Sequence, residues 1–372
     1  MPPPPTVLLA PDKFKGCLPA MDVCTELQTG LLDGARPIDV VLRPMADGGE
    51  GTLDAALLAG FDSFVVAAAG PLAEPRNTRI GLGGSTALIE LAEVCGLARL
   101  PGGRGRPMRA STYGVGLAMR AAIELGCRDL VVGIGGSAST DGGMGAAAAL
   151  GARILDQSGR PVRLCGAGLG EVASVDLDPM LAGLDGVRLV VATDVASPLT
   201  GEHGAARVFG PQKGATAEHI RDLEAGLENW AAHLQRAGGV DVRVMPGAGA
   251  AGGFLAPFLA TDSVRVVSGA RFVLDLTGTR QAIAAADVVV TGEGRWDSQT
   301  ATGKAPHAVL DAARSAATPV IAVAGSFAAD TDLTGVMAHY SLTELALPDR
   351  DPERDARTLL RQIGSRIAGQ LR

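Results

Sequence analysis

The run Gly133-Ile134-Gly135-Gly136-Ser137-Ala138-Ser139-Thr140-Asp141-Gly142-Gly143 sets the tightest limit on how this chain can fold. It follows the apolar Leu130-Val131-Val132 and precedes an alanine-rich stretch over 144–150. That order reads as strand, glycine turn, helix. A buried strand feeding a helix belongs to an α/β sheet with crossover connections. The turn also carries a chemistry. Glycines let backbone N–H groups converge on an anion with no Cβ in the way. Ser137, Ser139 and Thr140 add rotatable hydroxyl donors, and the helix N-terminus adds partial positive charge. Gly135, Gly136, Ser137, Ser139, Thr140 and Asp141 are therefore candidate phosphate-binding residues. Asp141 has an equal second reading as an N-cap. The run is not a Walker A loop, because Gly-x-x-x-x-Gly-Lys-Ser/Thr does not occur in the chain.

The rest of the chain repeats short α/β units. Val7-Leu8-Leu9-Ala10 reads as a buried strand, and Pro19 suits a first helical turn before Ala20, Val23, Cys24, Leu27 and Leu31 on one helical face. Val40-Val41-Leu42 is a strand, 50–58 a helix and Phe64-Val65-Val66 a strand, which together imply parallel pairing. The middle differs: 78–91 predicts a hairpin around Gly83-Gly84, followed by a helix over 112–125. Leu189-Val190-Val191-Ala192 is a strand, and 217–234 is an amphipathic helix with Ile220, Leu223, Leu227, Trp230 and Leu234 on one stripe. Near the C-terminus, Val288-Val289-Val290 and Val320-Ile321-Ala322-Val323 are strands around a helix over 305–316. A closing helix spans 352–371. The expected architecture is α/β with two domains. One is a discontinuous, Rossmann-like, doubly wound domain from 1–70 and 285–372. The other is an inserted α/β domain, 71–284, carrying the Gly/Ser-rich loop.

Composition narrows the partners. Of 372 residues, 47% are hydrophobic and only 3% aromatic, so the core is built from Ala, Val, Leu and Ile. The net charge of −7 argues against nucleic acid or a membrane surface as partner. Five scattered cysteines without a Cys-x-x-Cys pair fit reduced thiols in the cytoplasm. The start, Met1 and four prolines, lacks the basic and apolar regions of a signal peptide. No run of about 18 apolar residues predicts a membrane span. The oligomeric state stays open between monomer and homodimer.

Polar residues gather at predicted strand ends, where open α/β sheets place their ligands. These are Pro11-Asp12-Lys13-Phe14-Lys15-Gly16, Pro44-Met45-Ala46-Asp47-Gly48-Gly49-Glu50-Gly51-Thr52, the opening run, Thr193-Asp194-Val195-Ala196-Ser197-Pro198-Leu199, and Thr291-Gly292-Glu293-Gly294-Arg295-Trp296-Asp297-Ser298-Gln299 with Gly303-Lys304. Asp12, Asp47 and Lys15 each have a plainer reading as a cap, a turn residue or a solvated lysine. Lys213 sits in Gly210-Pro211-Gln212-Lys213-Gly214, as an anion ligand or as an ordinary surface lysine. Gly247-Ala248-Gly249-Ala250-Ala251-Gly252 matches Gly-x-Gly-x-x-Gly after the strand-like 240–244. No acidic residue ends the next predicted strand (264–267), as a dinucleotide site wants. The histidines show no zinc-ligand spacing, and no Gly-x-Ser-x-Gly elbow occurs. Carboxylates, lysines, hydroxyls and glycines remain, an inventory suited to Mg²⁺-assisted phosphoryl transfer.

These motifs, in this order and over nearly the whole chain, resemble the bacterial type I glycerate kinases. The marks are Ala10 to Gly16, Pro44 to Thr52, Gly135 to Gly145, Val208-Phe209-Gly210-Pro211-Gln212-Lys213-Gly214-Ala215, and Thr291 to Thr300 with Gly303-Lys304. The resemblance implies ATP-dependent phosphorylation of D-glycerate with Mg²⁺, usually to 2-phosphoglycerate, in a cleft between two α/β domains. Where the family usually has Cys-Asp-Val-Thr-Asn-Pro-Leu, this chain has Thr193-Asp194-Val195-Ala196-Ser197-Pro198-Leu199, so a serine replaces an amide side chain. On this reading Asp194 is the base toward the glycerate hydroxyl. Lys15 and Lys213 offset developing charge. Asp12, Ser197, Gln299 and Lys304 join the substrate and phosphate ligands. Asp47, Glu50 and Glu293 are candidates for Mg²⁺. Alternatives are a glycerate 3-kinase, an NAD-type oxidoreductase using Gly247 to Gly252, and a metabolite-binding relative without catalysis.

Overall fold

The structure is a computed structural model that describes residues 3–34, 37–297, 304–329, 331–347 and 349–371. Its strands, in chain order, are β1 (Thr6–Leu9), β2 (Asp39–Leu42), β3 (Asp62–Ala69), β4 (Pro75–Gly83), β5 (Thr86–Glu90), β6 (Asp129–Gly133), β7 (Arg153–Leu155), β8 (Ser174–Asp176), β9 (Arg188–Ala192), β10 (Arg265–Val267), β11 (Val288–Trp296), β12 (Val320–Phe327) and β13 (Ala338–Ser341). The chain packs as two α/β units. The first is Met1–Asp47, Asp54–Ala59 and Ser268–Arg372; the second is Gly48–Leu53 and Gly60–Val267.

The first unit is a five-stranded sheet in the order β13-β12-β11-β1-β2, parallel throughout. From β1 the chain winds outward one way to β2. The later strands β11, β12 and β13 wind outward the other way. The reversal lies between β1 and β11, the switch point at whose carboxyl edge such sheets bind ligands. Strand alternation divides the core. Val7, Leu9, Val290, Ile321 and Val323 pack with helices Ala20–Leu32 and Ala356–Gln370. Leu8, Ala10 and Val289 face the helices Gly269–Leu276, Thr279–Ala285 and Ala305–Ala316. Helices Ala20–Leu32 and Ala356–Gln370 touch backbone to backbone, because a Cβ on Gly30 would strike Arg361 O and one on Gly364 would strike Leu27 O. The nearly buried Glu26 bridges this pair, accepting from Arg357 Nη1 at 2.8 Å and from Arg361 Nε.

The second unit is a six-stranded mixed sheet, β10-β9-β6-β5-β4-β3, and a two-stranded β7-β8 ribbon. Pairing is parallel from β5 to β10 and antiparallel through β3-β4 and β4-β5. Two expectations need correction. Phe64-Val65-Val66 is not a parallel strand of the first sheet. It lies in β3, antiparallel to β4, because the turn between them, closed by Gly70 N to Glu74 O at 2.8 Å, is too short for a crossover. The helices over 269–285 pack on the first unit through Ala270, Val273, Leu274 and Ile283, not on the inserted segment. Among the described residues, no helix is long and apolar enough to cross a membrane. All five cysteines are unpaired.

Candidate active site

In the first unit, polar groups collect at the carboxyl edge of β1 and β11, on either side of the switch point. Ala10 N donates to Val290 O and Asp12 N to Gly292 O, each at 2.8 Å, so the chain beyond β1 stays zipped to β11. Gly294 permits this approach; a Cβ there would lie 3.1 Å from Lys15 N and 3.2 Å from Phe14 Cα. Asp12 is 5% exposed. Burial, with Asp47 and Glu293 nearby, pushes its carboxyl up to about 7, against the pull of Lys13. Lys13 Nζ lies 3.5 Å from Asp12 Oδ1 and 3.4 Å from Asp47 Oδ1, bridging the two carboxylates. Lys304 Nζ lies 3.4 Å from Glu293 Oε2 and 3.7 Å from Asp297 Oδ1, at the start of helix Ala305–Ala316. Lys15 is exposed. Lys13 and Asp297 were missed in the sequence, although an Asp-Lys pair at a strand end was a readable signal. Gln299 lies outside the described residues.

The second unit holds the glycine-rich loop. Ser139, Thr140 and Asp141 are fully buried and Ser137 is buried, whereas Gly136 is exposed and Gly135 half-buried, so the accessible tip is Gly135-Gly136. Several loop donors are already committed: Gly135 N to Gly48 O at 3.1 Å, Ala138 N to Cys95 O at 2.8 Å, Ser139 N to Ser137 Oγ at 3.2 Å. The Asp141 carboxylate works inward. It accepts from Thr112 N at 2.7 Å, Thr112 Oγ1 at 2.8 Å, Gly145 N at 3.2 Å and Gly143 N at 3.3 Å. It thereby pins the starts of helices Tyr113–Glu124 and Met144–Ala149 together. These bonds match the capping reading of Asp141, whose side chain is fully buried and turned toward the scaffold. The Thr140 hydroxyl is buried with no partner among the described residues.

Lys213 is not a surface lysine. It is 2% exposed, and its Nζ donates to Ser139 O and lies 3.4 Å from Ser137 Oγ. Burial lowers its ammonium to about 8, with the Asp141 charge opposing that fall. Ser137 Oγ also reaches Ala251 O at 3.1 Å. That contact explains the glycine run 247–252. Residues 240–244 form turns and not a strand, with Val244 79% exposed, so no dinucleotide fingerprint is built. Instead, a Cβ on Gly252 would lie 2.7 Å from Thr140 Cα and 2.9 Å from Lys213 Nζ, and Gly249 N donates to Ser197 O at 3.0 Å. The run is a close-packed bed beneath the glycine-rich loop and the Asp194 loop. Asp194 is half-buried beyond β9, where Thr193 N donates to Val267 O at 3.0 Å. Ser197 is half-buried in the same loop. Glu50 packs against the glycine-rich loop, its Cγ 3.6 Å from where a Gly136 Cβ would stand, so it belongs with the second unit while Asp47 and Glu293 belong with the first. Glu90, unforeseen from sequence, caps 51–53 by accepting from Gly51 N at 3.2 Å and Leu53 N at 3.0 Å.

As to metal, no group of three or more His, Cys, Asp or Glu side chains is arranged to hold an ion among the described residues. Asp47 and Glu293 are hard oxygen donors. Mg²⁺ binds through one or two carboxylates, waters and substrate phosphates, so this donor set fits it without a protein cage.

The glycerate kinase family model matches residues 7–372. A glycerate kinase of Halalkalibacterium halodurans is 38% identical over 98% of this chain and 97% of its own length. The glycerate 2-kinase of Escherichia coli strain K12 is 37% identical over 90% of this chain and 88% of its own. A crystal structure from Salmonella typhimurium LT2, described as a candidate glycerate kinase 2, superposes with a TM-score of 0.82 at 37% identity, covering 99% of this chain and 98% of that one. This chain belongs to the glycerate kinase family.

Proposed function

We propose that the chain catalyses ATP-dependent phosphorylation of D-glycerate at the 2-hydroxyl, giving 2-phosphoglycerate. Family membership over nearly the full length supports the reaction. The observation that carries the chemistry is the buried Lys213 ammonium, held against Ser137 and Ser139 behind the accessible Gly135-Gly136 tip. A desolvated cation beside glycine amides suits an anion, either the substrate carboxylate or the phosphoryl group in transfer. Asp194 takes the proton of the attacking hydroxyl or holds it in line, a role worth about 10² to 10⁴ in rate. Lys15 and Lys304 offset charge at the switch-point edge, with Asp12 and Ser197 as further polar contacts. Asp47 and Glu293 would hold Mg²⁺, which when bound neutralises charge on the phosphates. Glu50 is a weaker candidate, since it packs on the anion loop.

The test is turnover of D-glycerate with ATP and Mg²⁺, with the product read by ³¹P NMR. A 2-phosphoglycerate signal is expected. A 3-phosphoglycerate signal overturns the position, and no product overturns the kinase reading. Asp194→Asn is expected to keep ADP binding and lose at least about 10²-fold in kcat; near-normal turnover removes Asp194 from the mechanism.

A further inference from the structure

Beyond the end of β2, the first unit has a cavity of about 440 Å³, within the range of about 300 to 1,000 Å³ usual for small-molecule pockets. Met21, Leu42, Leu58 and Leu276 give it apolar walls, and Ala59 lines it as well. Leu58 is 59% exposed, an apolar side chain that the unit leaves in water. The charged wall is Arg43. Its Nη1 donates to Leu42 O at 2.9 Å, but its Nε is buried with no acceptor among the described residues. The guanidinium lines the cavity, so it gives the apolar walls one cationic donor edge that suits a ligand carrying acceptors.

The position narrows the ligand. Arg43 N donates to Leu9 O at 2.8 Å and Met45 N to Pro11 O at 2.9 Å, so the segment after β2 runs on beside β1. It ends at Asp47, 3.4 Å from Lys13 Nζ. From Arg43 to Asp47 the chain can span at most about 14 Å. The cavity therefore opens on the same carboxyl edge as the polar cluster at the switch point, one strand over. A flat heteroaromatic ring has apolar faces for leucine and methionine walls and in-plane lone pairs for a guanidinium. Glycerate is too small and polar to use those walls.

We propose that this cavity takes the purine base of the phosphoryl donor, with the Arg43 guanidinium donating to a ring nitrogen and the phosphates directed along residues 43–47. The inference rests on the kinase reading above and assigns the donor's base a site within the first unit.

The experiment uses the full chain. Calorimetry compares ADP with tripolyphosphate, which has no base, on the parent, Ala59→Phe and Arg43→Met. Ala59 is exposed, so the phenyl ring fills the cavity mouth without entering the core. ADP affinity is expected to fall at least about tenfold in both variants, with tripolyphosphate affinity and the KM for glycerate within about twofold of the parent. Photolabelling with 8-azido-ATP should mark peptides containing 42–59 or 276–278. ADP affinity within about twofold of the parent in both variants, or label confined to other peptides, overturns the proposal. The expected pattern in a chain that does not phosphorylate glycerate would sink the kinase reading and keep the pocket. Turnover with a parental KM for ATP in both variants would do the reverse.

Discussion

Lys213 shows what burial does to a cation. Its ammonium, near 10.5 in water, falls to about 8 because the loop around it excludes solvent. The sign of its effect on stability follows. Between about 8 and 10.5 the unfolded chain binds a proton that the folded chain has shed, so this group adds stability as pH rises through that window. Lys213→Met should remove that rise, as read by urea unfolding of parent and variant at pH 7.5 and about 10. Activity has the opposite slope. The cation is lost as pH rises through about 8, so kcat/KM should begin to fall there. A flat profile to pH 10 would show that charge on Lys213 is not needed. Lys213 was visible in the sequence only as a lysine among glycines. Its burial was not, because the residues that enclose it, Ser139 and Gly252, come from remote parts of the chain. Lys13 was overlooked for a related reason: its role is to join Asp12 to Asp47, and that pairing exists only once β1 and β2 lie side by side.

At the scale of elements, the helix pair of the first unit and the glycine bed of the second make separate predictions. Glu26 is held below the usual carboxylate range, chiefly by the Arg361 hydrogen bond and then by Arg357. A lowered carboxyl stabilises the fold above its ordinary value of 4.5 and loses that contribution as pH falls through its folded value. Both arginines are about half exposed, which weakens the pairs. Glu26→Gln should therefore cost only about 1 to 2 kcal/mol at pH 7, and the gap should narrow as the pH falls below 4.5. Urea melts at pH 7 and about 3.5 check it; a gap that persists in acid assigns the loss to packing. Gly252 has φ +72° as well as the Lys213 contact. Gly252→Ala should cost about 1 to 3 kcal/mol and raise KM by displacing the lysine, whereas parental stability and KM would refute the close-packed bed. Apolar runs such as Val7 to Ala10 and the stripe over 217–234 were legible because the core dictates their period. The partner of β3 was not legible, since alternation names a strand and not its neighbour. Residues 240–244 alternate like a strand but turn, because Asp241 takes Arg243 N at 3.1 Å and Nε at 2.8 Å and closes the chain on itself.

At the scale of the molecule, the first unit is assembled from both chain ends and the second from the middle. Helix Ala356–Gln370 covers Leu27 and Leu31 and the glycine contact at Gly30. Deleting residues 356–372 should leave the first unit unfolded, with ADP binding lost and protease cleavage concentrated in 1–47 and 268–355. A truncated chain that binds ADP like the parent would contradict this.

Val7 of β1 pairs with Val288 of β11, and that pairing has a cost during synthesis. The opening segment leaves the ribosome long before the partner that flanks it. The sheet of the intervening unit can close once Val267 has emerged. Until β11 follows, β1 waits with one edge unsatisfied, the kind of apolar ribbon that chaperones shield and that aggregates when they do not. Nascent chains arrested at the length where Val267 has just emerged from the ribosome should resist protease over 60–267 and be cut within 6–42, and protection of both stretches at that length would rule out this order of events.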